Sequence, residues 1–351
     1  MKKLIECVPN FSEGRDLSII KKITDTIEGV EGIKLLNVDI GHGANRTVVT
    51  FAGEPDVVVE AAFLAMQRAA ELIDMSLHMG EHPRFGATDV CPLIPVSNIT
   101  MDETVELARK LASRVGAELR IPVYCYEYAA FNERRRSLSH CRSGEYEGLA
   151  EKMRLAEWRP DFGPLNFNIR SGATAIGARK ILVAYNVNLN TSSVEVAKSI
   201  AADIRENGKV KREKDPINGK IVLDANGEAV RIPGTLKKVR AIGWHIKEYG
   251  IAQVSMNLTD VHITPMHRAF EEVCVKAIEH GTRVTGSELI GLVPLQAMLD
   301  AGSHFLRKGH YSIHIPENEI IHAAVKSLGL DELTPFNPDK KIIEYLLEEK
   351  K

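Results

Sequence analysis

Residues 33–51 read IKLLNVDIGHGANRTVVTF: two β-rich runs, 33–40 and 46–51, joined by Gly41, His42, Gly43, Ala44 and Asn45, a linker of turn-forming residues. This hairpin decides the fold, because a strand and a helix stand on each side of it. Upstream, the short apolar run 4–9 breaks at Asn10-Phe11-Ser12-Glu13-Gly14, after which 16–27 carries apolar residues at helical spacing. Downstream, Pro55 sits in the first turn of a helix over 55–73, and 90–96 is strand-like. A helix over 101–115 and a strand over 121–126 follow. The order strand, helix, strand, strand, helix, strand is that of a split βαβ or ferredoxin-like unit, a sheet with helices packed on one face.

A second round of the same order begins near residue 181. Strand 181–189, helix 193–206, strand 253–258, helix 265–280 and strand 283–286 are its legible parts. Between them, 208–234 reads as an exposed hairpin excursion with turn signals at Asn218-Gly219 and Asn226-Gly227. The sequence therefore predicts an α/β fold of the α+β sandwich kind. It has two ferredoxin-like subdomains, over 1–180 and 181–328, each a mixed β-sheet with helices on its outer face. A tail over 329–351 carries an amphipathic piece, 341–347, expected to pack.

Composition narrows the function class. The chain has 351 residues, 45 Lys and Arg against 47 Asp and Glu, and a net charge of -2. That balance argues against a general polyanion binder, so no nucleic-acid partner is expected. The five cysteines, Cys7, Cys91, Cys125, Cys141 and Cys274, are widely spread with no C-x-x-C pair, the pattern of reduced thiols. Glu6 comes too early for a signal peptide, and no run approaches the ~18 apolar residues of a membrane span. A cytoplasmic protein with no membrane partner is the expectation.

Seven residues, His78-Met79-Gly80-Glu81-His82-Pro83-Arg84, hold two imidazoles, a carboxylate and a guanidinium. Glycine and proline weaken any regular element there, so the segment reads as a shaped loop. Two chemistries compete. His78, Glu81 and His82 match the H-x-x-E-H spacing of inverted zinc peptidases. Alternatively one histidine is a general acid/base whose tautomer and pKa are set by a carboxylate. The helix that a zinc site needs is opposed by Gly80 and by Pro83, which biases His82 away from helical dihedrals, and a third ligand such as Glu145 would also be required. No metal is expected.

Several motifs in one order resemble the glutamate formimidoyltransferase (formiminotransferase) family: Glu6-Cys7-Val8-Pro9-Asn10-Phe11-Ser12-Glu13-Gly14, Asn45-Arg46-Thr47, Gly80-Glu81-His82-Pro83-Arg84, Asp89-Val90-Cys91-Pro92, Pro160-Asp161-Phe162-Gly163-Pro164, Gly172-Ala173-Thr174, Gly177-Ala178-Arg179 and Gly291-Leu292-Val293-Pro294-Leu295. The resemblance runs from Leu4 to about Tyr345. It implies a ligand tunnel between the two subdomains, a homodimer, and a form without the cyclodeaminase domain of the bifunctional animal relatives. It also implies transfer of the formimino group of N-formimino-L-glutamate to N5 of tetrahydrofolate, a co-substrate, in histidine degradation. Formyl transfer from N-formylglutamate or 5-formyltetrahydrofolate, and a folate-binding module without turnover, are the alternatives.

Under this resemblance His82 is the catalytic imidazole, with Asp39 and Glu81 as carboxylates that orient or tune it. The segment Gly163, Pro164, Leu165, Asn166, Phe167, Asn168, Ile169, Arg170, Ser171, Gly172 matches the family's folate-binding region, with Phe167 as a flat apolar contact. Ser171 departs from the animal members, which carry tryptophan there. Both ligands end in carboxylates, for which guanidinium is the natural partner. Arg46 and Arg84 are the first candidates, ahead of Arg179 and Arg268. His42 is a weak candidate, His78 reads as structural, and Arg134-Arg135-Arg136 reads as a solvated charge run.

Overall fold

The computed structural model describes residues 3–80, 83–214, 219–247, 249–308 and 315–347. The chain divides into two compact units, Met1–Lys180 and Ile181–Lys351.

The first unit runs β1 (Leu4–Cys7), β2 (Asn10–Phe11), α1 (Leu17–Glu28), β3 (Lys34–Gly41), β4 (Arg46–Gly53), α2 (Pro55–Leu72), β5 (Thr88–Ser97), α3 (Met101–Arg114), β6 (Val123–Glu127), α4 (Leu138–Cys141), α5 (Glu145–Lys152) and β7 (Thr174–Ala178). Its hairpin β3–β4 pairs Asp39 with Val48 and Gly41 with Arg46. Strands β1 and β2 are one path broken at Pro9, which has no N–H to give the ladder, and both halves lie between β4 and β5. The spatial order is β3-β4-β1-β5, extended beyond β5 by β7 and then β6 in parallel. Strand β7, TAIGA, was not expected from sequence. Its residues are small and buried on both faces, so no alternation marks it.

Helix entries follow sequence rules. Asp16 caps α1 by accepting from Ser18 and Ile19 amides, and Thr100 with Glu103 forms a capping box on α3. Helices α1, α2 and α3 bury Ile23, Ile27, Val58, Met66 and Leu111 against Ile5, Cys7, Val49 and Phe51 of the sheet. Because side chains alternate along a strand and paired residues share a face, Asp39, Val48, Asn10 and Val90 form one row on the opposite face, and Arg46 shares it. At the β5-β7-β6 end that face carries a smaller core, in which Cys141, Leu149 and Met153 cover Val90, Tyr124 and Ala175.

The second unit runs β8 (Val183–Leu189), α6 (Val194–Ile204), β9 (Lys209–Val210), β10 (Arg231–Ile232), β11 (Val239–Ile246), β12 (Ile251–Leu258), α7 (Met266–Glu279), β13 (Val284–Ile290), α8 (Leu295–Lys308), α9 (Glu317–Leu328), α10 (Pro338–Lys341) and α11 (Ile343–Leu347). Its sheet, β11-β12-β8-β13, has the spatial order of β3-β4-β1-β5 in the first unit. A mixed sheet was expected here. Among the described residues its pairs are antiparallel, and no strand there corresponds to the added parallel strands β7 and β6. Strands β9 and β10 pair at the base of the segment 208–234, of which Asn218 lies outside the described residues.

Residues 329–347 are built into this unit rather than appended to it. Ile342 and Ile343 are buried in its core, and the Ile343 amide donates to the Val293 carbonyl at 3.0 Å. Along the outer edge of β13, the Ser287 amide donates to Gly329 O at 2.9 Å and its hydroxyl to Leu328 O at 2.6 Å.

Candidate active site

The loop that follows α2 is fastened to the β3–β4 hairpin. His78 Nε2 lies 2.9 Å from the Asn45 carbonyl, and Asn45 Nδ2 donates to Met79 O at 3.0 Å while its Oδ1 accepts from the Gly14 amide at 2.9 Å. Gly80 is required by contact: a Cβ there would stand 2.3 Å from Ala44 O. Glu81 and His82 lie outside the described residues. On their far side, Arg84 Nε donates to His78 Nδ1 at 3.2 Å. The two bonds fix the His78 tautomer, with the proton on Nε2 facing a carbonyl and the lone pair on Nδ1 facing a guanidinium. Burial lowers the His78 pKa, and Arg84 acts in the same direction. A cation at Nδ1 would meet the guanidinium, so the zinc reading loses this ligand on geometry.

Arg84 was expected as an open carboxylate anchor. It is buried, and a buried guanidinium demands counterions. Glu147 grips it with both oxygens, Oε1 to Nη2 at 2.6 Å and Oε2 to Nη1 at 2.9 Å. Glu145 adds one contact, Oε2 to Nη1 at 3.1 Å, and the His78 carbonyl accepts from Nη2 at 3.3 Å. The pKa of Glu147 is lowered by its bond from Arg84. These groups line an open cleft of about 510 Å³ bounded by His78, Met79, Gly80, Arg84, Gly144, Glu145 and Glu147.

A second charged cluster gathers around Asp89 and touches the loop where Arg46 Nη1 donates to Pro83 O at 3.4 Å. Arg46 Nη1 donates to Asp89 Oδ2 at 2.8 Å, and Nε and Nη2 both donate to Asn10 Oδ1 at 2.9 and 2.6 Å. Asp89, fully buried, also meets Arg142 Nη2 at 2.5 Å and Nε at 3.2 Å, and accepts from the Phe85 amide at 3.2 Å. Burial pulls Arg46 down to about 10, partly offset by Asp89. Asp89 thus stands as one carboxylate between two guanidiniums.

Asp39 is half-buried on β3, on the same face as Arg46. In the segment 163–172, Gly163 and Gly172 hold positive φ, and a Cβ on Gly172 would stand 2.1 Å from Phe85 O. Asn168 organises the turn, its Oδ1 accepting from the Ser171 amide at 2.9 Å and its carbonyl from Gly172 at 2.7 Å. The segment is anchored beside Arg84 by Ala87 N donating to Ser171 O at 2.9 Å. Phe167 packs on Tyr146 with ring centres 5.3 Å apart, so the outward apolar groups are Leu165 and Ile169. Arg170 donates to Glu71 O at 2.7 Å.

The weaker candidates are not among the residues that line the cleft. His42 is exposed in the hairpin turn, Arg179 donates to the neighbouring Lys180 carbonyl at 3.0 Å, and Arg268 is exposed on α7 of the second unit. The arginine run is not uniformly solvated. Arg135 is buried, pairing with Asp161 at 2.6 Å and donating to two carbonyls, while Arg134 and Arg136 face out.

Sequence reasoning missed Asn10, Asn45, Asp89, Arg142 and Glu147 as site members, and named Glu145 only as a third ligand for the zinc reading. The first three stand inside motifs already quoted, which was the available signal. Arg142 and Glu147 carry none, being brought in by the turn at Gly144.

Two family models match the chain: the formiminotransferase domain, N-terminal subdomain, over residues 4–179, and the formiminotransferase domain over residues 184–348. The formimidoyltransferase-cyclodeaminase of Sus scrofa is 48% identical over 99% of this chain and 61% of its own length. A glutamate formimidoyltransferase of Thermoplasma acidophilum is 42% identical over 87% of this chain and 92% of its own length, and one of Streptococcus pyogenes is 38% identical over 92% and 100%. The chain thus spans about 61% of the length of the bifunctional porcine relative.

Proposed function

The chain belongs to the formiminotransferase family, and from that premise we propose that it transfers the formimino group of N-formimino-L-glutamate to N5 of tetrahydrofolate. The observation that carries this reading is the loop 78–84 itself. Residues 78–80 are clamped to the hairpin by His78 and Asn45, and Pro83 and Arg84 meet Arg46 and Glu147. Anchored flanks on either side of a histidine suit proton transfer between two nitrogens, since a positioned group near neutral pKa is worth about 10²- to 10⁴-fold.

In the proposed reaction the N5 lone pair attacks the amidine carbon and forms the new C–N bond. His82 removes the N5 proton and delivers it to the former α-nitrogen of the donor. The C–N bond to that nitrogen then breaks, its electron pair staying on nitrogen, and the products are L-glutamate and 5-formiminotetrahydrofolate. Atoms and charge balance without an oxidant or a metal. Asp39 and Glu81 orient or tune His82. Segment 163–172 receives the folate, with Leu165 and Ile169 as its apolar contacts. Arg46 is the candidate for a donor carboxylate, whereas Arg84 is saturated by Glu147 and Glu145. A cytoplasmic homodimer completes the reading, and light scattering of the purified protein tests its dimeric part.

The test is direct assay of purified protein with tetrahydrofolate and either formiminoglutamate or formylglutamate, following the folate adduct. Turnover of the formimino donor is expected, and His82→Ala should lower it by about 10²- to 10⁴-fold. Unchanged turnover in that variant removes His82 from the chemistry. Folate binding without turnover of either donor places the binding-module reading ahead.

A further inference from the structure

We propose that Glu145 selects the donor: its carboxylate pairs with the protonated amidine of a formimino group and disfavours the neutral formyl analogue. This rests on the transfer reading above and specifies its substrate class.

The argument begins with charge. Among the described residues lining the cleft, Arg84 carries one positive charge, Glu145 and Glu147 carry two negative ones, and His78 is held neutral between a carbonyl and a guanidinium. The cleft therefore has one carboxylate more than its cation needs. Geometry says which. Glu147 faces Arg84 as a two-pronged fork at 2.6 and 2.9 Å, the strong arrangement, whereas Glu145 makes a single contact at 3.1 Å. Arg84 has five N–H groups, and His78 Nδ1, the His78 carbonyl, Glu147 and Glu145 accept from them all. Glu147 is the closer of its two counterions, and Glu145, bound through one oxygen, is the weaker. The Glu145 side chain is 43% exposed and, like Glu147 at 65%, lines the cleft.

The backbone holds this carboxylate in position. Gly144 and Glu145 have φ of 83° and 53°, a left-handed pair immediately before helix α5 continues, and the next amide, Tyr146 N, is tied to Arg84 O at 3.0 Å. A glutamate rarely adopts that conformation, so the bond from Tyr146 sets where its side chain starts.

The ligand chemistry follows. A formimino group is an amidine, a strong base protonated at neutral pH, with two N–H-bearing nitrogens sharing the charge in a plane. A carboxylate with one under-used oxygen accepts from it and gains charge-assisted bonds. A formyl group is neutral and presents a carbonyl oxygen, which a carboxylate repels. A site built to accept hydrogen bonds from a substrate N–H discriminates against the analogue that lacks it, because its own acceptor is left unmatched.

The experiment compares the two donors in the same protein sample, so that the folded fraction cancels. With tetrahydrofolate saturating, kcat/KM is measured for formiminoglutamate and formylglutamate in the unmodified protein, in Glu145→Gln, and in Glu145→Asn, asparagine being tolerant of the left-handed conformation. The formimino-to-formyl ratio should fall by roughly 10- to 100-fold in both variants, chiefly through a raised KM for the formimino donor. An unchanged ratio in either active variant overturns the role of Glu145 while leaving the transfer reading intact. Absence of turnover by the unmodified protein with both donors refutes the transfer reading, and the selection of donors falls with it.

Discussion

Replacing Asp89 by asparagine removes one negative charge from a position with no solvent exposure and leaves Arg46 and Arg142 facing each other. The magnitude can be worked from the contacts. Asp89 accepts from Arg46 Nη1 at 2.8 Å, from Arg142 Nε at 3.2 Å and from Phe85 N at 3.2 Å, and lies in ion-pair contact with Arg142 Nη2 at 2.5 Å. Asparagine keeps one acceptor oxygen, which can serve Phe85 N and Arg142 Nε. Its amide nitrogen then points donors at the guanidinium donors of both arginines. Breaking a buried ion pair by removing one partner costs about 3–5 kcal/mol, whereas an exposed pair is worth about 0.2–1 kcal/mol. Because one acceptor survives, the lower end, about 3 kcal/mol, is expected. The chain has two tryptophans, Trp158 in the first unit and Trp244 in the second. In a Trp244→Phe background the fluorescence of Trp158 therefore reports urea unfolding of the first unit alone. With a slope of about 2 kcal/mol per molar urea, the midpoint should fall by about 1.5 M. Adding Arg142→Met to Asp89→Asn should recover part of the loss, since one uncompensated cation is then gone. A midpoint shift below about 0.5 M would refute the reasoning, because the trio would then behave like a surface pair.

The remaining predictions concern the loop. Gly80→Ala drives a methyl group against the Ala44 carbonyl, and the displaced loop should lose roughly 100-fold in kcat/KM; wild-type kinetics would show that this contact does not position it. His78 has a pKa below its unfolded value, so the unfolded chain takes up the proton first. Stability of the first unit should therefore be level above pH ~6.5 and decline as the pH falls below it, and His78→Gln should flatten that decline. Urea midpoints at several pH values decide this, an identical slope in the variant counting against it.

Much of the fold was legible because each layer has its own period. The hairpin 33–51 alternates and turns on glycine and asparagine, and α1 and α3 announce themselves by Asp16 and by Thr100 with Glu103. Strand β11, VRAIGWHI, alternates buried and exposed at its start but was passed over between charged neighbours, and α8, LQAMLDAGSHFLRK, was missed despite an amphipathic pattern. Strand β7 could not be read at all, since TAIGA has the composition of a loop and becomes a strand only between β5 and β6. At the site, sequence identified the loop and Arg84 but not what Arg84 meets. Glu145 and Glu147 are some sixty residues away, and only the close approach of the Gly144 turn makes them its counterions. Charge inventories of a motif are incomplete when the balancing groups come from elsewhere in the chain.

The hydrogen bonds from β13 to residues 328 and 329 bear on synthesis. Strand β13 is an edge of the second sheet, and its outward amide at Ser287 is satisfied by a carbonyl more than forty residues later. As the chain leaves the ribosome the four strands can pair while that edge still lacks its cover, along with the core positions of Ile342 and Ile343. An uncovered edge of this kind recruits other strands. Chaperone dependence should therefore concentrate in the last stretch of translation, and nascent chains arrested before residue 329 should associate through β13 where those arrested after residue 343 do not.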